Sequence, residues 1–152
     1  MKKMNNKGFS LVELIVVIAI MAVLIGVLAP QFLKFVERGR KSTDVQNVAS
    51  IVTAIQTYAA DPMATPALSS GEITLTDSQV TVSPSNASGN ADKALDAAGI
   101  KEIGLKSSKW PLSSGGNATS IEINFTVESD GSVSFTATAL AADHDILKGL
   151  YK

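Results

Sequence analysis

From Leu14 to Ala29 the sequence reads LIVVIAIMAVLIGVLA, sixteen residues without a polar side chain, and Leu11 and Val12 extend the run upstream across one acid, Glu13. The 22 residues from Phe9 to Pro30 would span about 33 Å as a helix, enough to cross the hydrocarbon of a bilayer. Beyond Pro30 the apolar positions thin to a stripe of Val45, Val48, Ile51, Val52, Ile55, Tyr58 and Ala59. Spacings of three and four mark one face of an amphipathic helix. Lys41, Asp44, Gln46, Asn47 and Gln56 fall between these positions and are expected to face away from the stripe. Asp61-Pro62 would end the helix. The pattern therefore predicts one helix from about Phe9 to Ala60, whose first half finds no partner within so short a chain and needs a membrane or other copies of itself.

Residues 61–90 turn to Pro, Ser, Thr, Asn and Gly, broken by two short alternating segments, Glu72 to Leu75 and Gln79 to Val82, that fit either strands or extended loop. Asn90 can cap a short helix over Ala91 to Ala98, with Gly99 as its stop. Trp110, ahead of Pro111 and a Ser-Ser-Gly-Gly-Asn loop, reads as a core residue. Ile121, Ile123, Phe125 and Val127, then Val133, Phe135, Ala137 and Ala139, alternate as two strands around Ser129-Asp130-Gly131. A two-residue Asp-Gly turn would set Phe125 opposite Thr136, an apolar side chain against a polar one. A three-residue loop with Gly131 left-handed sets it opposite Phe135, and is the register expected. One face of that hairpin would pack on the Val48 to Ala59 stripe. The fold class is α+β, a long N-terminal helix packed on a small antiparallel sheet.

Composition narrows the function. Of 152 residues none is Cys and one is His, which excludes disulfides, thiolate metal sites and cysteine nucleophiles. With no glycine-rich phosphate loop and no G-x-S-x-G elbow, the sequence offers no catalytic set and implies no cofactor. Thirteen Lys+Arg against fourteen Asp+Glu give a net charge of −1, so DNA binding is not indicated. Asp143-His144-Asp145 is the one cluster with ligand character, and Asp143 and Asp145 are weak candidates for a metal because calcium needs six to eight oxygens. Sequons at Asn86, Asn117 and Asn124 arise readily in Ser/Thr/Asn-rich sequence. Arg38, Arg40 and Lys41, just past the apolar run, fit either a solvated face or a lipid-phosphate site. Lys2, Lys3 and Lys7 precede that run with no acid among the first eight positions, which places the N-terminus in the cytoplasm and residue 31 onward outside.

A cleaved secretory signal and a plain signal anchor both compete for this segment. Glu13 interrupts the first, and Pro30 follows its only good cleavage candidate, Ala29. In the second, Glu13 would cost on the order of 2.5 to 3.5 kcal/mol at bilayer depth with no return. Lys7 to Glu13, K-G-F-S-L-V-E, resembles the class III signal of type IV pilins and of type II secretion pseudopilins: a glycine to cut after, an aromatic new N-terminus, an acid at the fifth position and a long apolar helix. The resemblance covers about the first fifty residues.

It implies the pilin fold and four segments: a cleaved basic leader over 1–8, a transmembrane and filament-core helix over 9–30, its amphipathic continuation over 31–60, and a globular head over 61–152. A prepilin peptidase would cut between Gly8 and Phe9, whose new amine would be N-methylated. Loss of the leader would leave ten basic against fourteen acidic side chains. Glu13 would pair with the Phe9 amine of a neighbouring subunit, which specifies register because either charge left unmatched among apolar helices is heavily penalised. Gly26 and Pro30 mark a place for a kink or local unwinding on assembly. The implied partners are further copies joined through their N-terminal helices, the peptidase, an assembly platform with its ATPase, and the cytoplasmic membrane before export to a surface filament. The filament would serve adhesion, motility or DNA uptake. A major pseudopilin, and a membrane-anchored monomer binding a ligand through the 61–90 loops, are the competing readings. Relatives that close a C-terminal loop with a disulfide find no counterpart here, so Leu140 to Lys152 must be held by packing or hydrogen bonds.

Overall fold

The computed structural model describes residues 8, 10–64, 67–83, 91–138, 140, 146 and 147. Its elements are α1 (Leu11–Ala60), β1 (Gly71–Leu75), β2 (Val80–Ser83), α2 (Ala91–Ala97), β3 (Ile121–Val127) and β4 (Val133–Thr138). The chain divides into two compact units, Met1–Arg38 and Gly39–Lys152. The first consists of the leading part of α1. The second is an α+β head in which the remainder of α1 backs an antiparallel sheet ordered β2-β1-β3-β4.

The core of the head is the expected stripe meeting the expected sheet face. Val48, Ile51, Val52 and Ile55 are buried with Ile73, Leu75, Ile121, Ile123 and Phe125, while Val45 and Tyr58 flank them. Phe125 stands opposite Phe135 and Val127 opposite Val133, the register of a three-residue loop. The Glu128 N–H donates to Ser132 O at 2.9 Å and the Gly131 N–H to Glu128 O at 3.0 Å. Gly131 takes φ 84°, the left-handed position a type I turn with a bulge requires. Ser132 donates its hydroxyl and its N–H to Asp130 Oδ1, which holds the Asp130 carboxyl below its ordinary pKa.

The two segments that fit either strand or loop are strands. They form a hairpin pairing Leu75 with Val80 and Ile73 with Val82, so the connector over 61–90 is partly sheet. Polar-out, apolar-in alternation gives β2 a buried Val80 and Val82 and an exposed Thr81 and Ser83. Helix α2 ends at Ala97 rather than Ala98, closed by paired bonds from the Gly99 N–H to Asp96 O and the Ile100 N–H to Leu95 O, each 3.0 Å. Its expected cap, Asn90, lies outside the described residues. The tail is held by packing, as a cysteine-free chain requires: Ile146 and Leu147 are both in the core, and the Ser113 hydroxyl donates to Leu140 O at 2.9 Å.

The outward polar face of α1 needs correction at three positions. Gln46 and Gln56 are exposed, but Asp44 is 0% exposed and Lys41 and Asn47 are half-buried. Asp44 Oδ1 accepts the Lys106 N–H at 2.6 Å, and Oδ2 accepts the Ser107 N–H at 3.0 Å and the Trp110 Nε1–H at 2.9 Å. One turn on, Asn47 Nδ2 donates to Gly104 O at 3.1 Å. These four bonds fasten the 104–110 segment, which would otherwise leave backbone donors buried without acceptors, to the helix. Trp110 is buried as expected, and Lys41 Nζ lies 5.1 Å from its ring centroid. Gly104 permits the arrangement by close approach: a Cβ there would meet Asp77 O at 2.3 Å. Along the exposed side, Ser50, Thr53 and Thr57 each donate their hydroxyl to the carbonyl four residues back.

Removing the carboxylate should therefore destabilise the head more than any surface change. Asp44→Ala strands three donors and is expected to lower unfolding stability by about 3 kcal/mol or more, with Asp44→Asn intermediate. Urea unfolding of the full chain in detergent, followed through the fluorescence of the single tryptophan, measures both.

Candidate functional site

Helix α1 begins inside the K-G-F-S-L-V-E motif, at Leu11. The Leu14 N–H donates to Ser10 O at 3.2 Å, making Ser10 the capping residue, and the Ser10 N–H donates back to Glu13 Oε2 at 2.9 Å. This is the acid-to-backbone half of a capping box, placed by the S-x-x-E spacing. The group of Ser10 in use is its backbone N–H. Glu13 thus has a local partner within its own chain, and its carboxylate keeps further acceptor capacity for a second donor. Gly8 is exposed, and a Cβ built on it would touch nothing within 4 Å. Packing among the described residues gives no reason for a glycine there. Phe9 lies outside the described residues.

Beyond this start, the apolar side chains in the leading part of α1 are uncovered. From Leu11 to Leu28 the large ones range from 50% exposed at Val16 and Val17 to 73% at Leu11, and Phe32, Leu33 and Phe35 continue the series. The helix is long and apolar enough to cross a membrane. A continuous apolar surface of this extent marks a site of contact with lipid or protein. The α-helix runs without a break through Gly26, Pro30 and Gly39, and a Cβ on Gly26 would also meet open space. Helical order at Pro30 is compatible with the sequence because neighbouring turns still close around the one missing donor.

Asp143 and Asp145, and Asn86 with them, lie outside the described residues, and no group of metal-ligating side chains occurs among the described ones. Asn117 sits in an exposed turn bridged to Pro111. Asn124 lies mid-strand in β3, opposite Glu72 on one side and Thr136 on the other. Arg38 Cζ rests 5.9 Å from the Phe35 ring centroid. Sequence reasoning missed Asp44. The only available signal was its place one turn ahead of Val48 on the inward stripe.

Comparison with known proteins agrees with the N-terminal reading. Residues 3–29 match the family described as the prokaryotic N-terminal methylation motif. The chain is 34% identical over 82 residues to prepilin peptidase-dependent protein A of Clostridium perfringens, covering 53% of this chain and 59% of that protein. It is 35% identical over 54 residues to the type IV major pilin protein PilA of Myxococcus xanthus, covering 36% of this chain and 24% of that protein. The chain thus spans less than two thirds of the length of either relative. No solved structure gives a significant match.

The uncovered helix predicts a difference in solubility between the two units. A fragment beginning at Gly39 should elute as a monomer from a sizing column in plain buffer, while the full chain should require detergent or elute as a large aggregate.

Proposed function

From a chain that carries the prepilin N-terminal methylation motif on the long helix of a pilin-like α+β fold, we propose the function of a structural subunit, the major pilin of a type IV pilus. The role is structural rather than enzymatic. The observation that carries the reading is the uncovered apolar surface from Leu11 to Phe35, which needs one environment before assembly and another after it. In the precursor the leader keeps its lysines in the cytoplasm and the helix crosses the membrane once. A prepilin peptidase cuts between Gly8 and Phe9, where the absence of a side chain lets extended backbone approach the protease, and the Phe9 amine is methylated. An ATP-driven machine with a membrane platform then lifts the helix out of the bilayer.

The exchange is feasible because lipid contacts are replaced by contacts with neighbouring helices, so the apolar surface stays out of water throughout. Glu13 sets the register. In the monomer its carboxylate is held by the Ser10 N–H. In the polymer it also takes the Phe9 amine of a neighbour, and desolvation is offset only when the two charges meet. The Gly26 to Pro30 stretch is where the helix would unwind on packing, since the proline already lacks one backbone donor. Glu13 favours a subunit with a neighbour to pair with, because its carboxylate keeps acceptor capacity beyond the Ser10 N–H.

Mass spectrometry of fibres sheared from the cell surface and pelleted tests the whole reading, with an N-terminal peptide beginning at methylated Phe9 as the expected result. A chain beginning at Pro30, or an intact precursor found only in membranes, would overturn it. Glu13→Ala should leave cleavage and insertion unchanged while lowering pelleted fibre at least tenfold, since breaking a buried pair costs about 3 to 5 kcal/mol. Normal fibre yield from that variant would remove the pairing argument. Gly8→Leu should accumulate uncut precursor with the unfolding midpoint of the head unchanged, as a Cβ at that position meets nothing within 4 Å among the described residues; immunoblotting of membranes reads the first and urea titration the second.

A further inference from the structure

The apolar run of α1 is bracketed by charge. Between Glu13 and Lys34 lie twenty residues with no ionisable side chain, and the 21 steps from one to the other rise about 32 Å along a helix, close to the roughly 30 Å of bilayer hydrocarbon. When Lys34 is level with one headgroup layer, Glu13 is level with the other. Arg38 lies four residues past Lys34 and so on the same helix face. Both are exposed, and neither makes an ion pair among the described residues. Arg38 lies against the Phe35 ring, an aromatic body with a cationic rim that suits the headgroup boundary.

Their side of the membrane makes them unusual. The leader places three lysines inside, yet Lys34, Arg38, Arg40 and Lys41 crowd eight positions on the translocated side with a single acid, Glu37, among them, against the orientation preference of basic residues. Cations kept where they oppose correct insertion need an interaction that rewards them there; one carboxylate does not balance four cations, and phospholipid phosphate is the further anion at that depth.

We propose that Lys34 and Arg38 bind headgroup phosphates of anionic phospholipid in the outer leaflet of the membrane that stores the monomer, and so hold Glu13 in the opposite headgroup layer rather than in hydrocarbon. This rests on the membrane-storage step proposed above. It explains how a carboxylate that a filament needs can wait without being buried unpaired, and it makes release of two phosphate contacts part of extraction.

The test uses the full chain in vesicles of phosphatidylglycerol and phosphatidylcholine. The two arginines are Arg38 and Arg40, so an Arg40→Lys background leaves Arg38 alone to carry a 13C label at Cζ, and a dipolar contact from that carbon to lipid 31P is expected. The chain has no cysteine, so Ser10→Cys places a single thiol one turn ahead of Glu13. With a membrane-impermeant reagent supplied to both faces, that thiol should react readily. Adding Lys34→Gln and Arg38→Gln should slow it at least about threefold, as the helix drifts outward and draws its start into lipid. Equal labelling rates with no 31P contact would overturn the proposal. So would loss of pelleted fibre in the doubly neutralised chain with its thiol labelling rate unchanged, which would assign the two cations to an acidic surface of a neighbouring copy. A chain that fails to insert in the vesicles would overturn the membrane-storage step itself, a separate and recognisable outcome.

Discussion

The constraint on which everything else depends is that the leading part of α1 covers none of its large apolar side chains among the described residues. An isolated helix with Leu11 to Leu28 at least half exposed is strongly disfavoured in water at about 25 cal/mol per Å² of apolar surface. The molecule therefore has two environments to satisfy, with one helix running through both. Its first part is suited to lipid or to other helices, and its second part supplies one wall of an ordinary globular core.

Within the head, Asp44 makes helix and domain a single folding unit. The stripe of Val48, Ile51, Val52 and Ile55 gives affinity without direction, since apolar contacts tolerate sliding and rotation. Three short bonds from a buried carboxylate to Lys106, Ser107 and Trp110 do not tolerate either. They fix the face and the axial position at which the 104–110 segment meets the helix, and Gly104 against Asp77 ties that segment in turn to the turn between β1 and β2. A head without cysteine thus obtains its cross-links from one acid, one amide and one close backbone contact.

Much of this was legible in the sequence because it depends on period and on turn chemistry. The 3.6-residue stripe and the two-residue alternation of β3 and β4 are local signals, and the Phe125 to Phe135 register followed from asking which loop length keeps apolar side chains on one face. The α1 start was legible for the same reason, since K-G-F-S-L-V-E packs several requirements into adjacent residues. Asp44 was not, because a charged residue on an amphipathic helix reads as solvated until its partners are known, and those partners stand more than sixty positions away. β1 and β2 were ambiguous on their own because four- and five-residue segments carry too few periods to tell strand from extended loop. Their identity is settled by pairing, β1 against β3, which a local pattern does not contain.

The placement of Ile146 and Leu147 in the same core as Val48 and Ile51 bears on how the protein is made. A core whose earliest and latest contributors are so far apart in sequence cannot close while the chain is still emerging, and domains fold as units only once their parts are present. The helix stripe is made well before Ile146 and Leu147 are. Until both are present, β-strand edges and apolar side chains of the head stay open to misassociation. Closure of the head is then a race against aggregation, and shortening the sequence before Ile146 would leave the head no way to win it.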